Sequence, residues 1–317
     1  MAFRRLGSSG LEVSVVGIGC NNFGGRMDQA AATKVVHAAL DAGINLFDTA
    51  DVYGGNGASE ELLGEALKGR RDEAVIATKF ASPMGKGPNR SGGSRVWITK
   101  ALDDSLRRLG TDYIDLYQQH RPDPATPIEE TLAALDDAVR AGKVRYLGSS
   151  NFTGWQIADA DWTARAEHLN RFVSAQNEYS LLSRNVEREV IPACARFGQG
   201  MLPFFPLASG MLTGKYRRGE APPEGTRLAN PGFGGRQLSD ANFDVVEALT
   251  DFATERGLSL LQVAMGGLAA QPTVASVIAG ATRPEQVVAN AEAGTWVPTP
   301  EELAEIDRIA PSRLPRR

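Results

Sequence analysis

Eight short apolar runs, each followed by a stretch of helical periodicity, dominate this chain and leave few ways to fold it. The runs are Val15–Cys20, Leu46–Ala50, Ala74–Phe80, Tyr113–His120, Val144–Asn151, Phe172–Ser180, Met201–Leu207 and Val274–Ala281. Each is the length of a strand buried on both faces. Helical patterns follow near Gln29–Ala42, Ser59–Lys68, Ser94–Leu109, Pro127–Ala141, Thr153–Leu169, Val186–Phe197, Ser239–Arg256 with Ser259–Ala270, and Pro284–Ala293. Gly43, Gly110, Gly142 and Gly198 stand where helices end. Strand and helix alternating eight times predict a (β/α)8 TIM barrel, an α/β fold, over residues 1–317 as one domain. A β-hairpin, Phe3–Leu6 with Leu11–Val15, precedes it. Between the seventh and eighth runs, the Gly/Pro-rich stretch Ser209–Arg236 is too long for an ordinary connection and reads as a mobile lid.

Composition excludes several classes. With 34 basic and 38 acidic residues, the net charge of −4 argues against a nucleic-acid partner. Cys20 and Cys194 share no metal-ligand spacing and suit a reducing compartment, so a cytoplasmic location is expected. The first ten residues carry Arg4 and Arg5 but no apolar core of a signal peptide. Leu258–Thr282, the longest uncharged stretch, is interrupted by polar residues and reads as a helix and a strand rather than a membrane span.

Catalytic groups of such barrels sit at the C-terminal ends of the strands, and here those ends are polar. The second run closes on Phe47-Asp48-Thr49-Ala50 with Tyr53 beyond it, the third on Thr78-Lys79 before Phe80, the fourth on Gln119-His120, and the fifth on Ser149-Ser150-Asn151; the sixth carries Gln176. A lysine closing an apolar strand requires a carboxylate, and Asp48 is one strand away. These positions fit either a structural ion pair or a proton donor, Tyr53, whose phenol the neighbouring ammonium makes more acidic. No G-x-G-x-x-G and no G-K-[ST] is present. Three histidines, with His37 and His168 on helical patterns, do not suggest a metal site.

The segment Asn45-Leu46-Phe47-Asp48-Thr49-Ala50-Asp51-Val52-Tyr53-Gly54, then Ala77-Thr78-Lys79-Phe80, Asp115-Leu116-Tyr117-Gln118 before His120, Gly148-Ser149-Ser150-Asn151-Phe152 and Leu212-Thr213-Gly214-Lys215-Tyr216 occur in that order. The set resembles the aldo-keto reductase family over nearly the whole chain. The resemblance implies a catalytic tetrad of Asp48, Tyr53, Lys79 and His120 and carbonyl reduction by NADPH, with NADH weaker. It implies Ser150, Asn151 and Gln176 at the nicotinamide carboxamide, and Phe204 stacked on the ring where many members have tyrosine. Leu207, Ser209, Gly210, Leu212 and Lys215 match the pyrophosphate segment, and Gly280, Thr282, Arg283, Gln286 and Asn290 the adenine end. Gln286 replaces a more usual arginine, which leaves Arg283 as the cation for a 2′-phosphate, with Arg217 or Arg218 in reserve.

Asn21, Phe23, Trp97 and Arg121 are the candidates for a small-molecule carbonyl substrate; Trp155 equally suits packing. Neither substrate identity nor oligomeric state is legible. Two rivals remain open: a nucleotide-holding sensor like the potassium-channel β-subunit branch, and a Schiff-base aldolase on Lys79, which Asp48 disfavours by keeping the amine charged.

Overall fold

The computed structural model describes residues 1–230 and 237–312. An antiparallel hairpin of β1 (Phe3–Arg5) and β2 (Glu12–Ser14) opens the chain. The barrel strands follow: β3 (Val16–Gly19), β4 (Leu46–Asp48), β5 (Val75–Phe80), β6 (Ile114–Gln119), β7 (Val144–Ser150), β8 (Phe172–Glu178), β9 (Gly200–Phe204) and β10 (Val277–Gly280). They form one parallel sheet in the order β10-β3-β4-β5-β6-β7-β8-β9. The bridge Met201–Val274, with Met201 N–H donating to Thr273 O at 2.8 Å and Ala275 N–H to Met201 O at 2.9 Å, brings β9 to the approach of β10 and closes the ring. This is the (β/α)8 barrel.

The helices are α1 (Gln29–Asp41), the single turn α2 (Tyr53–Asn56) at the strand ends, α3 (Ala58–Ala66), α4 (Arg95–Leu109), α5 (Ile128–Arg140), α6 (Gly154–Ala166), α7 (Val190–Phe197), α8 (Asp240–Glu255), α9 (Leu260–Ala269), α10 (Pro284–Ala293) and α11 (Pro300–Ile309). Their ends obey local chemistry: Asp28 and Ser94 accept from the first-turn amides of Ala31 and Trp97, and Gly110 leaves α4 at φ +64°.

The hairpin is a plug. Leu6 and Val13 pack with Leu46, Val75, Leu116 and Leu202 across the N-terminal mouth, and Arg4 donates to the carbonyls of Ala269 and Val274. The hairpin thus covers this mouth, and the polar strand ends gather at the other. The stretch Ser209–Arg236 falls partly outside the described residues, at 231–236. Its described part makes two 3-10 turns, Ala208–Thr213 and Arg227–Ala229.

Candidate active site

The last residues of β4 and β5 put a carboxylate and an ammonium in the barrel's interior. Lys79 is fully buried, its Nζ 2.6 Å from Asp48 Oδ2 and donating to Thr49 O at 2.8 Å. Asp48 Oδ1 accepts from Gln176 Nε2 at 2.7 Å and Gln118 Nε2 at 3.2 Å, so amides and an ammonium surround the carboxylate. Tyr53 begins α2, a turn that Gly54 at φ +71° allows to fold back; a Cβ there would meet Phe23 O at 2.5 Å. Lys79 Nζ lies 5.0 Å from the centre of the Tyr53 ring, and the His120 ring meets it edge-on at 5.7 Å.

The two ring residues have different electrostatics. Burial, then the charges of Lys79 and Arg121, pushes His120 down to about 3, so the imidazole is neutral near pH 7. The sequence suggested that Lys79 would make Tyr53 more acidic, but the net direction is upward. Burial outweighs the ammonium, and Asp48 adds to the rise. Lys79 itself remains protonated: burial works against the ammonium, but the Asp48 carboxylate bound to it holds the charge.

A cavity of about 820 Å³ runs from these groups to the start of α10. Asp48, Tyr53 and His120 line it, with Ser150, Asn151, Gln176, Phe204, Leu207, Ser209, Gly210, Lys215, Gly280, Thr282, Arg283, Gln286, Asn290 and Asn21. Leu212 is fully buried and outside the lining. So are Phe23 and Trp97, at 0 % and 2 % exposure: both are core residues here, not the cavity wall expected of them. Arg121 is exposed and also outside the lining, and Trp155 is 65 % exposed on α6 rather than packed.

The family model described as the aldo/keto reductase family matches residues 15–311. The chain belongs to the aldo/keto reductase family. Among the relatives of this aldo/keto reductase is a protein named as a probable voltage-gated potassium channel subunit beta of Oryza sativa subsp. japonica, 39% identical over 100% of this chain and 98% of its own. An L-glyceraldehyde 3-phosphate reductase of Escherichia coli is 35% identical over 97% and 92%, and a versiconal hemiacetal acetate reductase of Aspergillus parasiticus 33% over 96% and 95%. Oxidoreductases thus match it over almost their full lengths.

Some site residues of this aldo/keto reductase carried no sequence signal. Ser82 Oγ, buried just after β5, is 3.2 Å from His120 Nδ1 and occupies the nitrogen turned away from the ring's other edge. The preceding Ala81 sits at φ +85°, a conformation costly for alanine that no residue-type pattern announces. Arg26 and Arg227 also line the cavity, Arg227 Nη2 3.4 Å from Asn22 Oδ1 and its guanidinium 5.4 Å from the Phe205 ring centre.

Close to Glu60 and Lys79 lies Asp51, 1 % exposed. Neither of its carboxylate oxygens has a well-formed partner among the described residues, although the Val52 N–H gives electrostatic support. Burial and the Glu60 charge push it up to about 8. An unfolded aspartate titrates at about 3.9, so the folded chain holds this proton more tightly. The stability it contributes is full below about pH 4 and is lost as pH rises through about 8. Asp51→Asn is therefore expected to stabilise the protein by on the order of 1–3 kcal/mol at alkaline pH, with the gain vanishing toward pH 4. Thermal midpoints across that range test it; a variant destabilised at every pH would show that the carboxylate is partnered.

Proposed function

We propose that this cleft binds NADPH and reduces aldehyde or ketone carbonyls to alcohols, with Tyr53 as general acid. The observation that carries the reading is the meeting in one cavity of the Tyr53 and His120 rings, 5.7 Å apart, with Lys79 Nζ 5.0 Å from the Tyr53 ring and 2.6 Å from Asp48. An imidazole pushed to about 3 holds no second proton to give near neutrality, but it can donate a hydrogen bond. With Ser82 at Nδ1, His120 Nε2 is free to orient a carbonyl oxygen toward the phenol. Tyr53 then delivers its proton to that oxygen, and the Lys79 ammonium steadies the phenolate that forms.

The residues present fit a nicotinamide dinucleotide. Ser209 at φ +58° and Gly210 at φ +97° curl the chain after β9, and a Cβ on Gly210 would meet Lys215 Nζ at 2.7 Å. That concavity pairs turning backbone with a cation, as a pyrophosphate requires. Leu212 supports it from the core. Asn151 gives its amide nitrogen to His120 O at 2.9 Å, leaving its carbonyl oxygen, with Ser150 and Gln176, for a carboxamide. Phe204 offers a ring face for stacking. At the far end Gln286 Oε1 accepts from Thr282 N–H at 2.8 Å, shaping the α10 entrance toward Gly280 and Asn290. When bound, the reduced cofactor supplies hydride to the carbonyl carbon.

Preference for NADPH is assigned to Arg283, the exposed residue that precedes α10. Arg218 is already bound to Asp240, Asp244 and Glu247, which removes it as an alternative. Arg283→Ala is expected to weaken NADPH binding by about 10- to 150-fold, the worth of one charge-assisted hydrogen bond. NADH binding should hardly change, and salt should narrow the gap between the two cofactors. Dissociation constants by fluorescence titration decide; equal losses for both cofactors, or a wild type that prefers NADH, would move the cation elsewhere.

The similarity to a protein named as a potassium channel β subunit supports a second reading, an NADPH-holding sensor with slow or no turnover. Multiple turnovers on a broad aldehyde panel favour the reductase; a single slow turnover favours the sensor. Among the described residues no helix is long and apolar enough to cross a membrane.

A further inference from the structure

We infer that Gln118 is a positioning residue for the proton donor, holding the Asp48 carboxylate by its side-chain amide beneath the cavity floor. Three observations converge on it. Gln118 is fully buried and is not among the residues lining the cavity, so its amide is aimed at the interior rather than at a ligand. Its Nε2 donates to Asp48 Oδ1 at 3.2 Å, the oxygen that Lys79 leaves open. Room for it is made by the neighbouring strand: Gln118 is in register with Gly148, where a Cβ would lie 3.0 Å from Gln118 Cγ and 2.5 Å from Ser174 Oγ.

Gln118 and Gln176 donate to the same oxygen, but they are not equivalent. Gln176 borders the cavity and can turn toward a bound carboxamide; Gln118 has only the interior. The two amides touch, Gln176 Nε2 donating to Gln118 Oε1 at 3.4 Å, and Gln118 Nε2 keeps its own bond to Asp48 when Gln176 turns. The consequence runs through charge. Tyr53 is faced by Lys79 from β5, Asp48 from β4, His120 after β6 and Cys20 after β3. Of these, Lys79 favours phenolate and Asp48 opposes it. N–H dipoles directed at Asp48 offset part of its negative charge and so leave the ammonium to dominate at the phenol. Remove one, and the phenol holds its proton more tightly and becomes a weaker acid.

This inference rests on the reductase reading, and its tests separate the two. Gln118→Met keeps length and volume while removing the donor. Single-turnover carbonyl reduction should slow by about 3- to 10-fold, its high-pH limb should move upward, and NADPH affinity should stay within about twofold of wild type because Gln118 does not touch the cavity. A second measurement needs no turnover. Denaturant midpoints of Gln118→Met, Asp48→Asn and the pair should be non-additive, because the donor matters less once the carboxylate charge is gone. Gln118→Leu, which removes the same donor with a shorter apolar side chain, gives a second route to the same slowing should the methionine variant not fold. An unchanged rate and pH limb, or additive midpoints, would overturn the inference. A wild type that reduces no carbonyl would instead remove the reductase reading and leave the midpoints to judge Gln118.

Discussion

Tyr53→Phe is expected to lower the single-turnover rate of carbonyl reduction by about 10²–10⁴-fold, the usual contribution of a positioned general acid, with NADPH binding near wild type. The phenylalanine keeps the edge contact with His120 at 5.7 Å and the ring beneath Lys79 at 5.0 Å, so only the O–H is lost. His120, pushed down to about 3, cannot replace it. A variant that retains more than about a tenth of the wild-type rate would name another acid, since that loss falls short of general acid catalysis. The pH dependence has a definite sign. Burial raises Tyr53 above its ordinary range, so reduction should hold flat through neutrality and fall only where the phenol ionises on the alkaline side. Alcohol oxidation needs the phenolate and should rise over the same interval.

Asp48→Asn is expected to cost about 3–5 kcal/mol of stability, the penalty of leaving a buried charge without its partner. The remaining ammonium of Lys79 is wholly buried, its other acceptor being the Thr49 carbonyl at 2.8 Å. Turnover should fall as well, because Lys79 positions and polarises the phenol. Lys79→Met in the same chain removes the stranded charge and should recover part of the stability but none of the activity. Denaturant midpoints around this cycle check the pairing; strictly additive losses would mean that the 2.6 Å contact contributes nothing.

The barrel was legible because buried parallel strands read as apolar runs, and all eight runs hold a strand. Their ends were not. The runs overshoot at Ala50, Asn151 and Ala281, where the chain leaves the sheet to build the site; Asn151 turns at φ +61°. Helix α11 had a readable start, Thr299 with Pro300 and a reciprocal Glu302 cap, which the strand–helix count leaves unused. Val186–Phe197 breaks into a 3-10 turn and α7 at Glu189.

Within the site, Lys79 was conspicuous because an ammonium at the end of an apolar strand demands a partner. Gln118 was not, since its partner is 70 residues away and an amide in an apolar run demands nothing specific. The net direction of the Tyr53 shift is hidden for a related reason: the lowering by Lys79 can be read along the chain, but the depth of burial that outweighs it cannot. Phe23 and Trp97 show the same limit, because aromatic character does not say whether a ring faces cavity or core.

Hydride transfer from a nicotinamide to a carbonyl carbon in this cleft is the step on which the proposed reduction depends, and isotope transfer tests it directly. Wild-type protein is given NADPH deuterated at the transferring position and a panel of aldehydes and ketones, and the products are analysed by mass spectrometry. Alcohols carrying one deuterium at the former carbonyl carbon are expected, formed over many turnovers in step with loss of nicotinamide absorbance, if the cleft is a reductase. NADPH that binds but is not consumed, or is consumed without label reaching the alcohol, would contradict that reading.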